Sequence, residues 1–97
     1  MRTFIFSSPG YIADQLAARC KARRLAENWS RKTLAERSGV SESTIKRFET
    51  SGSIKLEDLI QLAVALQASD EFGNLFPEKA VVSLDQLTLN TRQRGRK

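Results

Sequence analysis

The side chains of this chain that could do chemistry are hydrogen-bonding groups arranged around two apolar positions. Between Ser41 and Thr50, only Ile45 and Phe48 are large and apolar, and they lie three residues apart. Positions three or four apart share one face of a helix, so this spacing predicts a helix with one buried side. The opposite side presents donors and acceptors that need no burial: Glu42, Ser43, Thr44, Lys46 and Arg47.

Catalytic chemistry is not expected. The 97 residues contain no histidine and one cysteine, Cys20. One copy of the chain therefore cannot build a histidine-activated nucleophile or a zinc site. The sequence also has no glycine-rich phosphate loop and no carboxylate cluster suited to acid–base work. We expect no enzyme activity, no catalytic residue, no metal and no cofactor.

Two short helices joined by a tight turn are predicted to position the polar face. Ser30 can cap the first of them, because its hydroxyl can accept a hydrogen bond from a free amide of the first turn. Leu34 supplies an inward position, and Gly39 stands where a helix commonly ends in the left-handed conformation. Ser41 can then cap the second helix. This order of elements is the helix-turn-helix plan.

The residues that form this plan resemble the helix-turn-helix of Cro/C1-type (XRE) repressors. The resemblance rests on Leu34-Ala35-Glu36-Arg37-Ser38-Gly39-Val40-Ser41, with Thr44-Ile45, Phe48 and Glu49 after it, and covers about Ile12 to Leu66. It implies an all-α, five-helix, lambda-repressor-like DNA-binding domain. By the same resemblance, the function is expected to be autoregulatory repression of transcription. A homodimer would bind a double-stranded operator with two half-sites, reading the major groove with residues 42–50.

Site residues follow from the resemblance by position. Base edges are expected to be read by Ser41, Glu42, Ser43, Thr44, Lys46 and Arg47. Arginine can meet guanine O6 and N7 together and glutamate can accept from cytosine N4, so a half-site with at least one G·C pair is predicted. Phosphate contacts, which position the protein, are expected from Ser30, Arg31, Lys32, Thr50, Ser51, Ser53 and Lys55.

The resemblance also implies a structural ion pair between Arg24 and Glu49. Members of the family often bury an arginine late in the first helix against a glutamate near the end of the recognition helix. The pair is expected to support the fold and to take no part in base readout.

The rest of the domain is predicted from caps and apolar spacing. Ser8-Pro9 marks the start of a helix that runs to about Leu25, with Ile12, Leu16 and Cys20 on its inner face. Trp29 is expected to pack across the joint before the second helix. A fourth helix from about Leu56 to Gln67 carries the stripe Leu56, Leu59, Ile60, Ala63 and Leu66. A short fifth helix, Asp70 to Phe76, is expected to close the core with Phe72, Leu75 and Phe76.

Residues 8–77 thus form the predicted domain, with an N-terminal arm at 1–7 and an extension with a basic tail at 78–97. The arm is either a frayed terminus or a strand that pairs across a dimer. Residues 80–87 fit a strand or a helical turn. The last residues are either a solubilising tail or an arm that follows DNA through general phosphate attraction. The cations of that arm would be Arg92, Arg94, Arg96 and Lys97.

Composition agrees with an intracellular partner that is polyanionic. Sixteen basic and eleven acidic residues give a net charge of +5, which favours attraction to a polyanion. A lone cysteine permits no intrachain disulfide and suits a reducing compartment. The apolar run Thr3–Phe6 is too short for the core of a signal peptide, and no stretch is long enough to span a membrane. We expect a soluble, cytoplasmic protein without a membrane partner.

An alternative class is a protein-interaction module, chiefly a toxin–antitoxin component. Ser7-Ser8-Pro9 before the first helix, Trp29-Ser30 before the second and the C-terminal extension are similar to HipB-type antitoxins. That resemblance implies a HipA-like kinase toxin as an additional partner. The two functions can coexist on one molecule, because the DNA-facing surface and the extension differ.

Overall fold

A computed structural model of the chain describes residues 8–78, and these form five α-helices with no strand in that range. The helices are α1 (Pro9–Ala26), α2 (Arg31–Ser38), α3 (Glu42–Ser51), α4 (Leu56–Ala65) and α5 (Ser69–Gly73). The all-α, five-helix prediction is confirmed. The N-terminal arm (1–7) and residues 79–97, which include the four tail cations, lie outside the described residues.

Three of the helices begin at serine caps. The hydroxyls of Ser8, Ser30 and Ser41 each accept a hydrogen bond from the backbone amide three residues further on, over 3.2, 3.0 and 3.1 Å. Each bond satisfies an amide that has no partner within the helix, as the sequence predicted. Lys55 stands at the corresponding position before α4 and makes no side-chain cap.

Two glycines, one before α3 and one after it, end helices of this domain. Gly39 ends α2 and Gly52 ends α3, both in the left-handed conformation, with φ of +81° and +80°. Their surroundings differ. A Cβ on Gly39 would meet open space, whereas one on Gly52 would lie 3.1 Å from Asp14 Oδ1 and 3.2 Å from the Cβ of Ala13. Gly52 therefore lets the end of α3 lie directly against α1.

The core lies where α3 packs on α1 and α2, and where α4 packs on α2 and α5. The largest fully buried side chains are Leu34, Ile45, Phe48 and Leu62. Ile45 and Phe48 are 0% and 1% exposed, which confirms the predicted inner face of α3. The remaining buried apolar residues are Ala17, Cys20, Val40, Leu59, Ala63 and Leu66.

The predicted inner face of α4 is partly wrong. Leu56 and Ile60 are 65% and 38% exposed, while Leu62, absent from the predicted stripe, is fully buried. The helix is rotated so that Leu59, Leu62 and Leu66 belong to the core. The helix itself ends at Ala65, two residues earlier than predicted, and Leu66 forms its C-cap.

The predicted closure of the core by α5 is also wrong beyond Phe72. The helix ends at Gly73 instead of Phe76. Phe72 packs against the core, but Leu75 and Phe76 are 55% and 94% exposed. Because α5 ends at Gly73, Leu75 and Phe76 do not continue the helical face that carries Phe72, and Phe76 adopts a φ of +53°.

At the other end of the domain, Ile12 was expected on the inner face of α1. It is 48% exposed, because it lies one turn before the part of α1 that the core covers.

None of the helices in the described part of the chain has the length and apolar character needed to cross a membrane.

Candidate nucleic-acid interface

The outer face of α3 presents the polar side chains that the sequence predicted. Glu42, Ser43, Lys46 and Arg47 are exposed, and Thr44 is half-buried. Burial of Ile45 and Phe48 on the opposite side sets the rotation of the helix, so the outer groups have no freedom to turn inward. The arrangement is a short rigid helix with mixed hydrogen-bonding groups and two cations on its free surface.

A buried ion pair fixes α3 to α1, as predicted. Arg24 Nε donates to Glu49 Oε2 over 2.8 Å, and Arg24 Nη2 donates to Glu49 Oε1 over 2.9 Å. The two side chains are only 7% and 1% exposed. The third guanidinium nitrogen, Nη1, donates to the backbone carbonyl of Trp29 over 2.8 Å. One arginine therefore holds both the recognition helix and the joint between α1 and α2.

A second arginine shares the same carboxylate, which the sequence did not predict. Arg31 Nε donates to Glu49 Oε1 over 2.9 Å, and the Arg31 side chain is 29% exposed. Arg31 was predicted to contact phosphate, and that prediction is untested. Its bond to Glu49 ties the first residue of α2 to α3. The cluster of two arginines and one carboxylate has a net charge of +1.

The protonation states of this cluster follow from its hydrogen bonds. Burial by itself would raise the pKa of the Glu49 carboxyl, but the hydrogen bonds from Arg24 and Arg31 outweigh it and hold that pKa below its usual range. The hydrogen bond to Glu49 raises the pKa of Arg24. The Glu49 carboxylate and the Arg24 guanidinium group are therefore charged at neutral pH.

Several hydroxyls predicted to contact DNA already donate their proton within the protein. Ser30 donates to the Thr33 hydroxyl over 3.2 Å and Ser41 to the Thr44 hydroxyl over 2.8 Å. Thr50 and Ser51 donate to backbone carbonyls of α3, over 2.9 and 2.7 Å. Phosphate oxygens only accept, so each of these hydroxyls must give up an internal bond before it can contact the backbone of DNA.

The exposed cations carry no such cost. Lys32, Lys46, Arg47 and Lys55 are exposed and have no ion-pair partner within residues 8–78. They can therefore bind phosphate or base edges without first breaking an intramolecular bond. Ser53 is also exposed.

Trp29 serves the framework behind this surface. It packs against the core, which confirms the predicted position at the joint between α1 and α2. The guanidinium carbon of Arg37 lies 4.5 Å from the centre of the indole ring. This cation–π contact was not predicted, because nothing in the spacing of the two residues indicates it. The contact links the last turn of α2 to Trp29, whose backbone carbonyl accepts the hydrogen bond from Arg24.

An apolar groove with a volume of about 340 Å³ lies between α1, α4 and α5. Its lining includes Leu16, Cys20, Ala63 and Phe72. Burial, aided by the charge of Glu49, raises the pKa of the Cys20 thiol to about 11, so at neutral pH Cys20 is an apolar core residue and not a nucleophile. Within residues 8–78 there is no group of three or more potential metal ligands.

A protein-family model matches most of this domain. The family model HTH_3, described as helix-turn-helix, matches residues 21–72. The match begins within α1, includes α2, α3 and α4 whole, and reaches α5. No curated protein matches the chain.

Proposed function

Because this chain belongs to the HTH_3 family of Cro/C1-type (XRE) helix-turn-helix proteins and is a DNA-binding transcription regulator, we propose that it is a sequence-specific repressor of its own operon. Repression by such a protein needs no catalytic step, since occupancy of a promoter is enough. No cofactor or metal is part of the proposal.

The observation that carries the proposal is the way α3 is held. Ile45 and Phe48 anchor its inner face and Glu49 anchors its end, while the outer side of its N-terminal half is exposed. Recognition helices of helix-turn-helix proteins enter the major groove with their N-terminal residues nearest the bases. Glu42, Ser43 and Arg47 are therefore the proposed principal base readers, with Ser41, Thr44 and Lys46 beside them.

Phosphate contacts are proposed for the residues that flank this helix. Lys32 lies at the start of α2 and Lys55 directly before α4, so cations stand on both sides of the reading helix in the chain. Arg31 keeps 29% of its side chain exposed while bound to Glu49. We assign the electrostatic part of the affinity chiefly to the unpaired cations, because the hydroxyls of Ser30, Thr50 and Ser51 are occupied.

We further propose that the protein acts as a homodimer. One domain of this size reaches only a few base pairs, and dimers of this class bind half-sites about one helical turn apart, ~34 Å. An operator with two inverted half-sites is the expected partner. The tail cations Arg92, Arg94, Arg96 and Lys97 would add non-specific attraction at its edges.

The proposal is tested by titrating the full-length protein against a fluorescent duplex from the region upstream of its own gene. A scrambled duplex of the same composition serves as control, and both are measured across a salt series. We expect a clear preference for the upstream duplex that survives moderate salt. Equal binding to both duplexes, collapsing steeply as salt rises, would refute sequence-specific autoregulation, since it would reflect phosphate attraction alone.

A second candidate is a HipB-type antitoxin that also binds and neutralises a HipA-like kinase. It is supported by the Ser8-Pro9 start of α1 and the Trp29-Ser30 lead into α2, the features that resemble those antitoxins. The test is first whether a HipA-like kinase is encoded beside this gene, and then co-expression of the two proteins. The antitoxin proposal requires a stable complex and loss of kinase activity, and it fails if the kinase stays active and separate.

A further inference from the structure

The charges of the domain are divided between two parts of the chain. Residues 8–55, which include α1 to α3, contain ten Lys or Arg and five Asp or Glu. Residues 56–78, which include α4 and α5, contain five acidic residues and no Lys or Arg. The part of the domain that carries the recognition helix is therefore basic, and the α4–α5 part is acidic.

Most of the acidic groups lack a cation inside the described domain. Glu71 is bound by Arg23, with 3.2 Å between Nη1 and Oε2. The other four, Glu57, Asp58, Asp70 and Glu78, have no ion-pair partner within residues 8–78. Their charge has the wrong sign for contact with DNA, because phosphate would repel it. The α4–α5 part is thus suited to a cationic partner.

An exposed apolar stripe runs along α4 beside one of these acids, Glu57. Leu56, Ile60 and Val64 are 65%, 38% and 58% exposed, although all three are large and apolar. They lie four residues apart, so they share one side of the helix over a length of about 12 Å. Glu57 and Gln61 are exposed next to the stripe. An apolar surface with a polar rim is typical of an interaction site. We call the stripe and the acidic groups of α4 and α5 the α4–α5 face.

The chain itself contains a segment with the complementary pattern. Residues 79–97 follow Glu78 directly and contain five Lys or Arg against one Asp. Their apolar residues lie between 80 and 89, and four of the cations lie between 92 and 97. Arg92 lies fourteen positions after Glu78, a stretch that can span up to about 46 Å when extended. That reach is about three times the length of α4.

We propose that residues 79–97 dock on the α4–α5 face of the same molecule, with the apolar part on Leu56, Ile60 and Val64 and the basic end against the acidic groups. A second copy is the less suitable occupant. Two α4–α5 faces packed together would oppose the four acidic residues of α4 and α5 with four more, and like charges at close range are unfavourable. The proposal is independent of operator recognition and goes beyond it.

If the tail docks in this way, DNA and the α4–α5 face compete for its cations. When the tail lies on the α4–α5 face, its four terminal cations are withheld from DNA. When DNA is bound, phosphates compete with the acidic groups for the same cations. The acidic face would then lower non-specific affinity for DNA while leaving the recognition helix accessible.

The test is paramagnetic relaxation enhancement on the full-length protein without DNA. A spin label is attached at Gln93→Cys; burial and the raised pKa of Cys20 direct labelling to the new thiol. We expect amide signals of α4 and α5 to lose most of their intensity, while those of α3 keep theirs. Broadening centred on α3, spread evenly or absent would overturn the proposal.

Two pairs of substitutions separate docking from general attraction. Ile60→Gln with Val64→Gln removes most of the stripe, and Ile12→Gln with Leu25→Gln is a matched control at 48% and 52% exposure on α1. We expect the first pair to restore the α4 signals and the second to leave them broadened; equal effects would overturn the proposal. In a mixed sample, the spin-labelled molecules carry no NMR isotope and the isotope-enriched molecules carry no spin label. The amide signals of this sample must show no broadening. Broadening there would mean that the tail comes from another copy.

Because this experiment contains no DNA, its outcome does not depend on whether the protein is a repressor.

Discussion

Truncation of Glu49 should be among the most damaging single substitutions in the domain. In Glu49→Ala, Arg24 loses two of its three hydrogen bonds and keeps only the bond to the Trp29 carbonyl. Its side chain is 7% exposed, so water cannot replace what is lost. Arg31 also loses its bond, but it is 29% exposed and can be rehydrated.

The magnitude follows from these contacts. Removing one partner of a buried pair typically costs 3–5 kcal/mol, because the other charge stays buried without compensation. Since Arg24 keeps one bond and Arg31 can reach water, we expect about 3–4 kcal/mol off the free energy of unfolding, near the lower end of that range. This is a large share of the stability of so small a domain, so Glu49→Ala should be partly unfolded at 37 °C.

The assay is urea unfolding followed by circular dichroism, with two companion variants. Glu71→Gln breaks the exposed pair with Arg23, whose side chains are 46% and 66% exposed, and should cost less than about 1 kcal/mol. Glu49→Ala with Arg24→Met removes both buried charges and should recover part of the loss. If Glu49→Ala cost no more than Glu71→Gln, or if the double variant were no more stable than the single one, the reasoning would be wrong.

The same carboxylate gives a pH dependence in the acid range. Its pKa is lower in the folded state than the ordinary value of 4.5 expected in the unfolded chain. Glu49 therefore contributes stability above pH 4.5, and this contribution is lost as pH falls below that value and through the folded pKa.

Further predictions concern the turns, the reading face and the alkaline range. Gly52→Ala should destabilise more than Gly39→Ala by urea unfolding, because only Gly52 adds contacts as close as 3.1 Å to the strain of a positive φ; equal losses would contradict the close approach to α1. Arg47→Ala should weaken operator binding about tenfold or more while changing binding to a scrambled duplex much less, whereas Lys32→Ala should weaken both alike. A uniform loss in Arg47→Ala would exclude base reading. The pKa of Cys20 is raised from 9.0 to about 11, so between these two pH values the thiol ionises mainly in the unfolded chain. Stability should therefore fall by up to about 1.4 kcal/mol per pH unit, and Cys20→Ala should lack this component of the slope.

What the sequence predicted well is local or fixed by position in the motif. The serine caps could be predicted because each hydroxyl binds an amide only three residues further on. The end of α2 at Gly39 could be predicted because a residue without Cβ adopts the left-handed conformation at little cost. The Arg24–Glu49 pair is long-range, yet it could be assigned because both residues occupy characteristic positions of the helix-turn-helix.

What the sequence could not predict depends on how helices rotate and where the chain turns. Leu56 and Leu62 are both plausible inner residues of α4, and only packing against α2 and α5 decides between them. A large apolar residue such as Phe76 is expected in the core, but α5 ends at Gly73 and leaves Phe76 outside its helical face. For the candidate site, exposure of α3 was predictable. The bond from Arg31 to Glu49 and the internal bonds of the cap hydroxyls were not, because they require atomic positions.

On α3, the residues that anchor the helix are separate from the residues on its outer face, and this has a consequence for the evolution of DNA preference. The groups that hold the helix, Ile45, Phe48 and Glu49, are separate from the outer groups at 42, 43, 46 and 47. Substitution of the outer groups removes no buried contact, so it should change stability little. Preference for a new operator could therefore arise by surface substitutions alone, without compensating changes elsewhere in the fold. The same separation makes α3 a suitable helix on which to graft the outer residues of another regulator.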